Sequence, residues 1–199
     1  MIEPMKRTLI LLALLLPLSF AAQKPDAPEY KHDWRFGFAG YPLIDQLFFG
    51  YGHDHYPEPI DTDHLYADYH GDCTMVGLFS AEYSTNFTKH FTFAVSGYLN
   101  SVWTPMYDYK GNKNGQNLGL SLHVIPTARY NYYTSQSFSI YSSIGLGLIF
   151  GTEKKEFFAF PTLQIAPVGI TFGRKVFGFA EWNGGVSYLG GRAGIGYRF

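Results

Sequence analysis

Ser121 and His123 stand two residues apart in NLGLSLHVIPTARYNYY. On an extended strand that spacing puts a hydroxyl and an imidazole on one face, as a nucleophile and its general base would be. No Asp or Glu lies nearby in sequence to orient the imidazole, and both side chains serve equally well as polar filling of an interior. A second group is the charges embedded in alternating segments: Arg35, Glu82, Arg129, Glu181, Arg192 and Arg198. Unpaired charge inside a narrow protein interior is costly, so Glu82 and Glu181 are expected to pair with two or more of these arginines. Such a network is either a plug of salt bridges or the gate of a small-solute path. The third group is GYGHDHYPEPIDTDHLYADYHGDC, where His53, His55, His64 and His70 are interleaved with Asp54, Asp61, Asp63, Asp68 and Asp72. Imidazole and carboxylate together can bind zinc or sense pH near neutrality. The spacing is irregular and matches no metal motif, so an acidic, solvated loop is expected, and no cofactor is called for.

The elements that must position these groups show a period of two. In the Ser121/His123 segment the even positions read Leu118, Leu120, Leu122, Val124, Ala128, Tyr130 and Tyr132, whereas Gly119, Thr127, Arg129 and Asn131 share the odd face. FTFAVSGYLNSVW sets Phe91, Phe93, Val95, Leu99 and Trp103 against Thr92, Ser96, Tyr98 and Asn100. SFSIYSSIGLGLIF opposes Phe138, Ile140, Ile144, Leu146, Leu148 and Phe150 to Ser139, Tyr141, Ser143, Gly145 and Gly147. Shorter versions run over 34–39, 75–85, 157–172, 176–188 and 191–199, the 157–172 segment changing face near Pro167, as a bulge would make it. These are eight candidate strands. Tight turns at 86–90, 134–136 and 173–175 alternate with longer or looser connections at 40–73, 104–116, 152–156 and 188–191. PLIDQLFFG, before the histidine-rich stretch, suits a short amphipathic helix on the rim of such a structure.

Composition agrees. Hydrophobic residues make up 46% of the 199, aromatics 19% and charged residues 16%, with 22 glycines, yet mean hydropathy is only −0.08. Apolar residues are therefore interleaved with polar ones, and the Tyr/Phe/Gly bias favours strands over helices. The start differs: Lys6 and Arg7 precede an apolar run from Leu9 to Phe20 and then small residues, a signal peptide over 1–21 with the remaining 22–199 as one domain. That run is too short to span about 30 Å of hydrocarbon as a helix. After its removal 13 basic and 15 acidic residues remain, which gives no footprint for nucleic acid. The lone Cys73 has no partner for an internal disulfide.

Export, an even strand number and alternating short and long connections describe an all-β, eight-stranded antiparallel transmembrane up-and-down β-barrel of a bacterial outer membrane. A soluble barrel would have to expose long Leu/Phe/Tyr faces to water. The last strand is expected to place Ile195, Tyr197 and Phe199 outward, with Phe199 at an aromatic girdle, and the triplet resembles the C-terminal signal read by the outer-membrane assembly machinery. The stretches HDWRFGFAGYP, SAEYSTNFTKHFTFAVSGYLN, VIPTARYNYY, SIYSSIGLGLIFG, APVGITFGRKVFGFAEWNGG and AGIGYRF resemble a family of small outer-membrane β-barrels typical of Bacteroidetes and of unassigned function, OmpX/OmpA-like in architecture. The resemblance covers roughly 32–199 and implies structure without a catalytic set.

The expected role is accordingly non-enzymatic: structural, surface-interaction or binding, without a large pore, with outer-membrane lipid and lipopolysaccharide as surroundings and an unidentified ligand or protein at the surface. Two alternatives stand beside it. Outer-membrane lipid A deacylases use a Ser/His pair and related acyltransferases enclose an acyl chain in a barrel, which would give Ser121 and His123 a role; a narrow channel for small solutes would use the lumen charges.

Overall fold

Alternation along each segment leaves one apolar and one polar face, and strands of that kind can enclose one set, with no edge left unpaired, by pairing around a closed ring. In the computed structural model the chain does so. Residues 29–42, Asp45, 69–71, 74–108, 110–153 and 156–199 are described. The strands are β1 (His32–Tyr41), β2 (Tyr69–His70), β3 (Thr74–Met75), β4 (Leu78–Asn86), β5 (Phe91–Tyr107), β6 (Lys113–Thr134), β7 (Phe138–Glu153), β8 (Glu156–Gly173), β9 (Val176–Gly185) and β10 (Leu189–Arg198). All but β2 and β3 are staves of a closed, eight-stranded antiparallel barrel, each paired with its neighbours in sequence and β10 returning to β1. The two-residue β2 and β3 pair instead with the upper part of β5.

Closure occurs where Trp34, Phe36 and Phe38 face Tyr197, Ile195 and Ala193 in register. Beyond the last ladder pair the His32 amide donates to the Phe199 carbonyl at 3.0 Å, and the Phe199 amide donates back to His32 at 2.9 Å. The final residue is thus tied into the seam, with its ring close to those of His32 and Tyr197. This ring of residues and the connections 87–90, 135–137 and 174–175 lie at one end of the barrel, here termed the turn end. The connections after β1, β5, β7 and β9 lie at the other, the loop end.

The barrel is apolar outside and polar inside. Phe36, Leu99, Leu122, Leu146, Ile170 and Ile195 are exposed on the outer wall, whereas Arg35, Glu82, His123, Arg129, Glu181 and Arg192 are buried within it. In β8 the alternation slips at Pro167 and Val168, which are both exposed, and the register with β7 and β9 shifts there. A second shift lies between Asn131 and Tyr133. It interrupts the outward series expected through Tyr132: Tyr133 is the exposed ring and Tyr132 hydrogen-bonds Ser142.

The connection expected over 104–116 is shorter, because β5 continues to Tyr107 and β6 begins at Lys113. Asp108 closes this hairpin by accepting from the amides of Lys110 and Asn112 at 2.9 and 2.8 Å, while Gly111 takes φ +81°. The Asn112 side-chain amide also donates to Asp108, at 3.1 Å, and this bond first, then the backbone ones, holds the Asp108 carboxyl below the usual carboxylate range. The signal peptide over 1–21 and His53, His55 and His64 fall outside the described residues. So does the helix expected over 42–50, apart from Pro42 and Asp45.

Candidate functional site in the barrel lumen

Five of the six charges assigned to the interior from strand parity form one layer across the barrel. They come from β1, β4, β6, β9 and β10, and none is more than 6% exposed. Arg129 donates to Glu82 Oε1 at 2.5 Å, and Arg192 reaches Glu82 Oε2 at 2.8 Å and Glu181 Oε2 at 3.3 Å. The Arg35 guanidinium lies 3.1 Å from Asp33 Oδ1 and 3.5 Å from Glu82 Oε1. Tyr141 links the two halves, accepting from Arg35 at 2.9 Å and donating to Glu181 at 2.8 Å. Ser96 donates to Glu82, and Arg192 donates to Ser80. Three guanidiniums thus meet three carboxylates, the balance that burial of charge demands.

Apolar rings pack between the ions. Arg35 lies over Phe177 and Phe179, Arg192 over Phe179 and Tyr98, and Arg129 over Tyr141 at 4.8 Å from the ring centroid. Two glycines make room for these rings. A Cβ at Gly196 would stand 2.3 Å from the Phe177 ring, and one at Gly169 would stand 2.3 Å from Tyr141. Beside the layer a void of about 10 Å³, lined by Tyr98, Gln164, Glu181 and Arg192 among others, is on the scale of one water molecule.

Arg198 stands apart from this network. Its donors satisfy the Gly173 and Arg174 carbonyls at 3.1 Å each and Thr171 Oγ1 at 3.0 Å. As the last residue of β10 it meets the carbonyls of the adjacent turn rather than a carboxylate. It lines a polar vestibule of about 580 Å³ at the turn end, together with Asp33, Arg35, Asn86, Lys89 and Asn131.

Towards the loop end Ser121 and His123 do meet, with Oγ 3.2 Å from Nε2. The carboxylate missing from their sequence neighbourhood is Asp45, from the β1–β4 connection. It accepts from Ser121 and Asn100 at 2.7 Å each and lies 3.3 Å from His123 Nε2. Ser187, from the β9–β10 connection, lies 2.5 Å from Nδ1. One assignment satisfies both ring nitrogens: Nε2–H donates to Asp45 and the Ser187 hydroxyl donates to Nδ1. Ser, His and carboxylate are the components of nucleophilic catalysis: here Ser121 shares Nε2 with Asp45, while Ser187 faces Asp45 across the ring at Nδ1. Asp45, Ser121, His123 and Ser187 are each no more than 1% exposed. Beneath them Ala39, Leu78, Tyr98, Ile125 and Tyr188 form an apolar cluster.

Asp33, Asp45, Asn100, Tyr141 and Ser187 are the members that sequence reasoning did not select. The one charged residue inside the largely apolar PLIDQLFFG is the available sign of Asp45. His70 pairs through its backbone with Met106, and among the described residues no three His, Cys, Asp or Glu side chains gather as a metal site would require. Ile195, Tyr197 and Phe199 all lie on the exposed outer wall. Compared with known proteins, the chain matches no protein-family model and no curated protein.

Proposed function

We propose that the chain is a non-enzymatic bacterial outer-membrane barrel whose lumen is plugged, an anchor that contributes to envelope structure or offers its outer loops to a ligand or protein partner. The observation that carries this reading is the inverted distribution of polarity around a lumen filled by the Arg35–Glu82–Arg129–Glu181–Arg192 layer. The outward positions from Trp34 to Phe38, Phe91 to Leu99, Ile144 to Phe150 and Leu163 to Phe172 carry no charged side chain. One charge at the middle of a lipid-facing wall would cost about 2–4 kcal/mol, so such a surface suits hydrocarbon and not water. Tyr197 and Phe199 on one rim and Trp182 on the other suit the two interfaces. Outward Ile195, Tyr197 and Phe199 suit recognition by the assembly machinery, and lipopolysaccharide and phospholipid are the surroundings.

An eight-stranded barrel is only wide enough for its own side chains. Planar bilayers loaded with the folded protein are therefore expected to stay electrically silent; stepwise conductance altered by substitution of Arg129 or Glu181 would make it a narrow channel instead.

The contact of Ser121, His123 and Asp45 favours one other reading, a lipid A deacylase or acyltransferase. It needs a route for an acyl ester to four side chains sealed from solvent, which weighs against it. On that reading Ser121→Ala and His123→Ala each change lipid A acylation by mass spectrometry; on ours both profiles equal the wild type.

A further inference from the structure

The turn end of the barrel carries a concentration of cations that the lumen does not use. Lys31 precedes β1, Arg174 and Lys175 make the β8–β9 turn, and all three are exposed. Lys89 in the β4–β5 turn and Arg198 at the end of β10 are half-buried at the mouth of the vestibule. The described acidic side chains at this end are Glu29 and Asp33, and Asp33 is buried against Arg35. At the loop end the described lysines are Lys110 and Lys113, at the tip of the β5–β6 hairpin beside Asp108.

The cations sit against an aromatic belt. The Lys175 ammonium lies 5.4 Å from the centroid of the Tyr197 ring. Phe199, Tyr197, Phe172, Phe138 and Phe87 expose their rings to varying degrees around the same rim. Long basic side chains whose stems run along apolar surface carry their charge out to the polar layer beside it. In a bilayer that layer is the phosphate level of the headgroups, with the aromatic rings just beneath. Arg174 keeps one donor on Gln136 Oε1, in the neighbouring β6–β7 turn, at 2.6 Å.

From this arrangement we infer that the turn-end rim binds the phosphate groups of anionic phospholipids in the adjoining leaflet, with Lys31, Arg174 and Lys175 as the headgroup contacts. The inference rests on the outer-membrane reading above. The ligand chemistry is a phosphodiester anion with no compensating cation in its own headgroup, held at the edge of hydrocarbon. A free phosphate ion lacks the acyl chains that would bring it to the aromatic belt. Lys89 and Arg198, turned towards the vestibule, raise the local potential without touching the lipid. The inference also orients the barrel. Its basic rim faces the periplasmic, phospholipid-bearing leaflet, and its loop end faces outward.

The test uses the full mature chain folded into bilayers of phosphatidylcholine containing either spin-labelled phosphatidylglycerol or spin-labelled phosphatidylcholine. The measured quantity is the relative association constant of each lipid for the barrel wall. Each surface cation contributes roughly a fivefold preference for anionic lipid near the membrane. Phosphatidylglycerol is thus expected to associate severalfold more strongly than phosphatidylcholine. The preference should fall towards unity in the triple variant Lys31→Gln/Arg174→Gln/Lys175→Gln and should survive added inorganic phosphate. Equal association of both lipids with the wild type overturns the inference, and abolition by inorganic phosphate reassigns the rim to a free anion. Heat-shift on unboiled gels, run on the same samples, separates loss of lipid binding at the rim from failure to form a membrane barrel. A shifting barrel with no lipid preference refutes only the rim, whereas a chain that never shifts refutes the membrane reading and the rim with it.

Discussion

Two polar clusters of the lumen differ in how they are built. The central layer uses strand residues alone, and each of its glutamates faces more than one guanidinium: Glu82 meets Arg35, Arg129 and Arg192 within 3.5 Å. The cluster near the loop end turns on one carboxylate, Asp45, delivered by a connection and held by Asn100, Ser121 and His123. The first shares its charge among many partners fixed by the ladder. The second couples two connections to the wall through a single imidazole. The comparison teaches that closure of the barrel and tethering of its loops are separate structural tasks, carried by different chemistry.

Substitutions should separate them. The largest effect is expected from Glu82→Gln, which preserves shape but leaves three buried guanidiniums with two carboxylates; breaking such a network costs on the order of 3–5 kcal/mol. Reversible urea unfolding in lipid vesicles measures it, and a loss below about 1 kcal/mol, the value of an ordinary hydrogen bond, would show that the layer is not a charge-balanced unit. Asp45→Asn should cost less, about 1–3 kcal/mol, since the groups left behind are neutral or can become so. Because Asp45 and His123 act together, His123→Ala in that background should cost clearly less than it does alone, a coupling that a double-mutant cycle reads directly. Additive losses would break the proposed hub. Ser187→Ala is the smallest, about 0.5–1.5 kcal/mol for one hydrogen bond, and should raise proteolysis of the β9–β10 connection before it changes global unfolding.

The same contrast explains what the sequence could tell. Parity alone put Arg35, Glu82, Arg129, Glu181 and Arg192 inside, because side chains alternate strictly along a strand and the apolar set declares which face is which. The change of face near Pro167 was readable because a proline interrupts an otherwise regular alternation. The bulge near Tyr132 was not, since no Gly or Pro marks it and the aromatic run is compatible with either face. The hairpin that shortens 104–116 is made by Asp108 capping its own turn, a local interaction that outweighs the weak strand preference of Asn and Gly there. Inward Phe177 and Phe179 break the polar-interior rule, for they serve as platforms for guanidiniums. Asp45 was out of reach for a different reason: its partners lie 55 to 78 residues away, and no local pattern carries a contact of that separation.

Location and folded state of the native protein test the central claim most directly, through cell fractionation and electrophoresis of unboiled against boiled samples. A closed barrel with a lipid-facing wall predicts a band in the outer-membrane fraction whose mobility shifts on boiling. A soluble periplasmic chain with no shift would contradict it, because the exposed Phe, Leu and Ile wall would then have to be covered by something other than lipid.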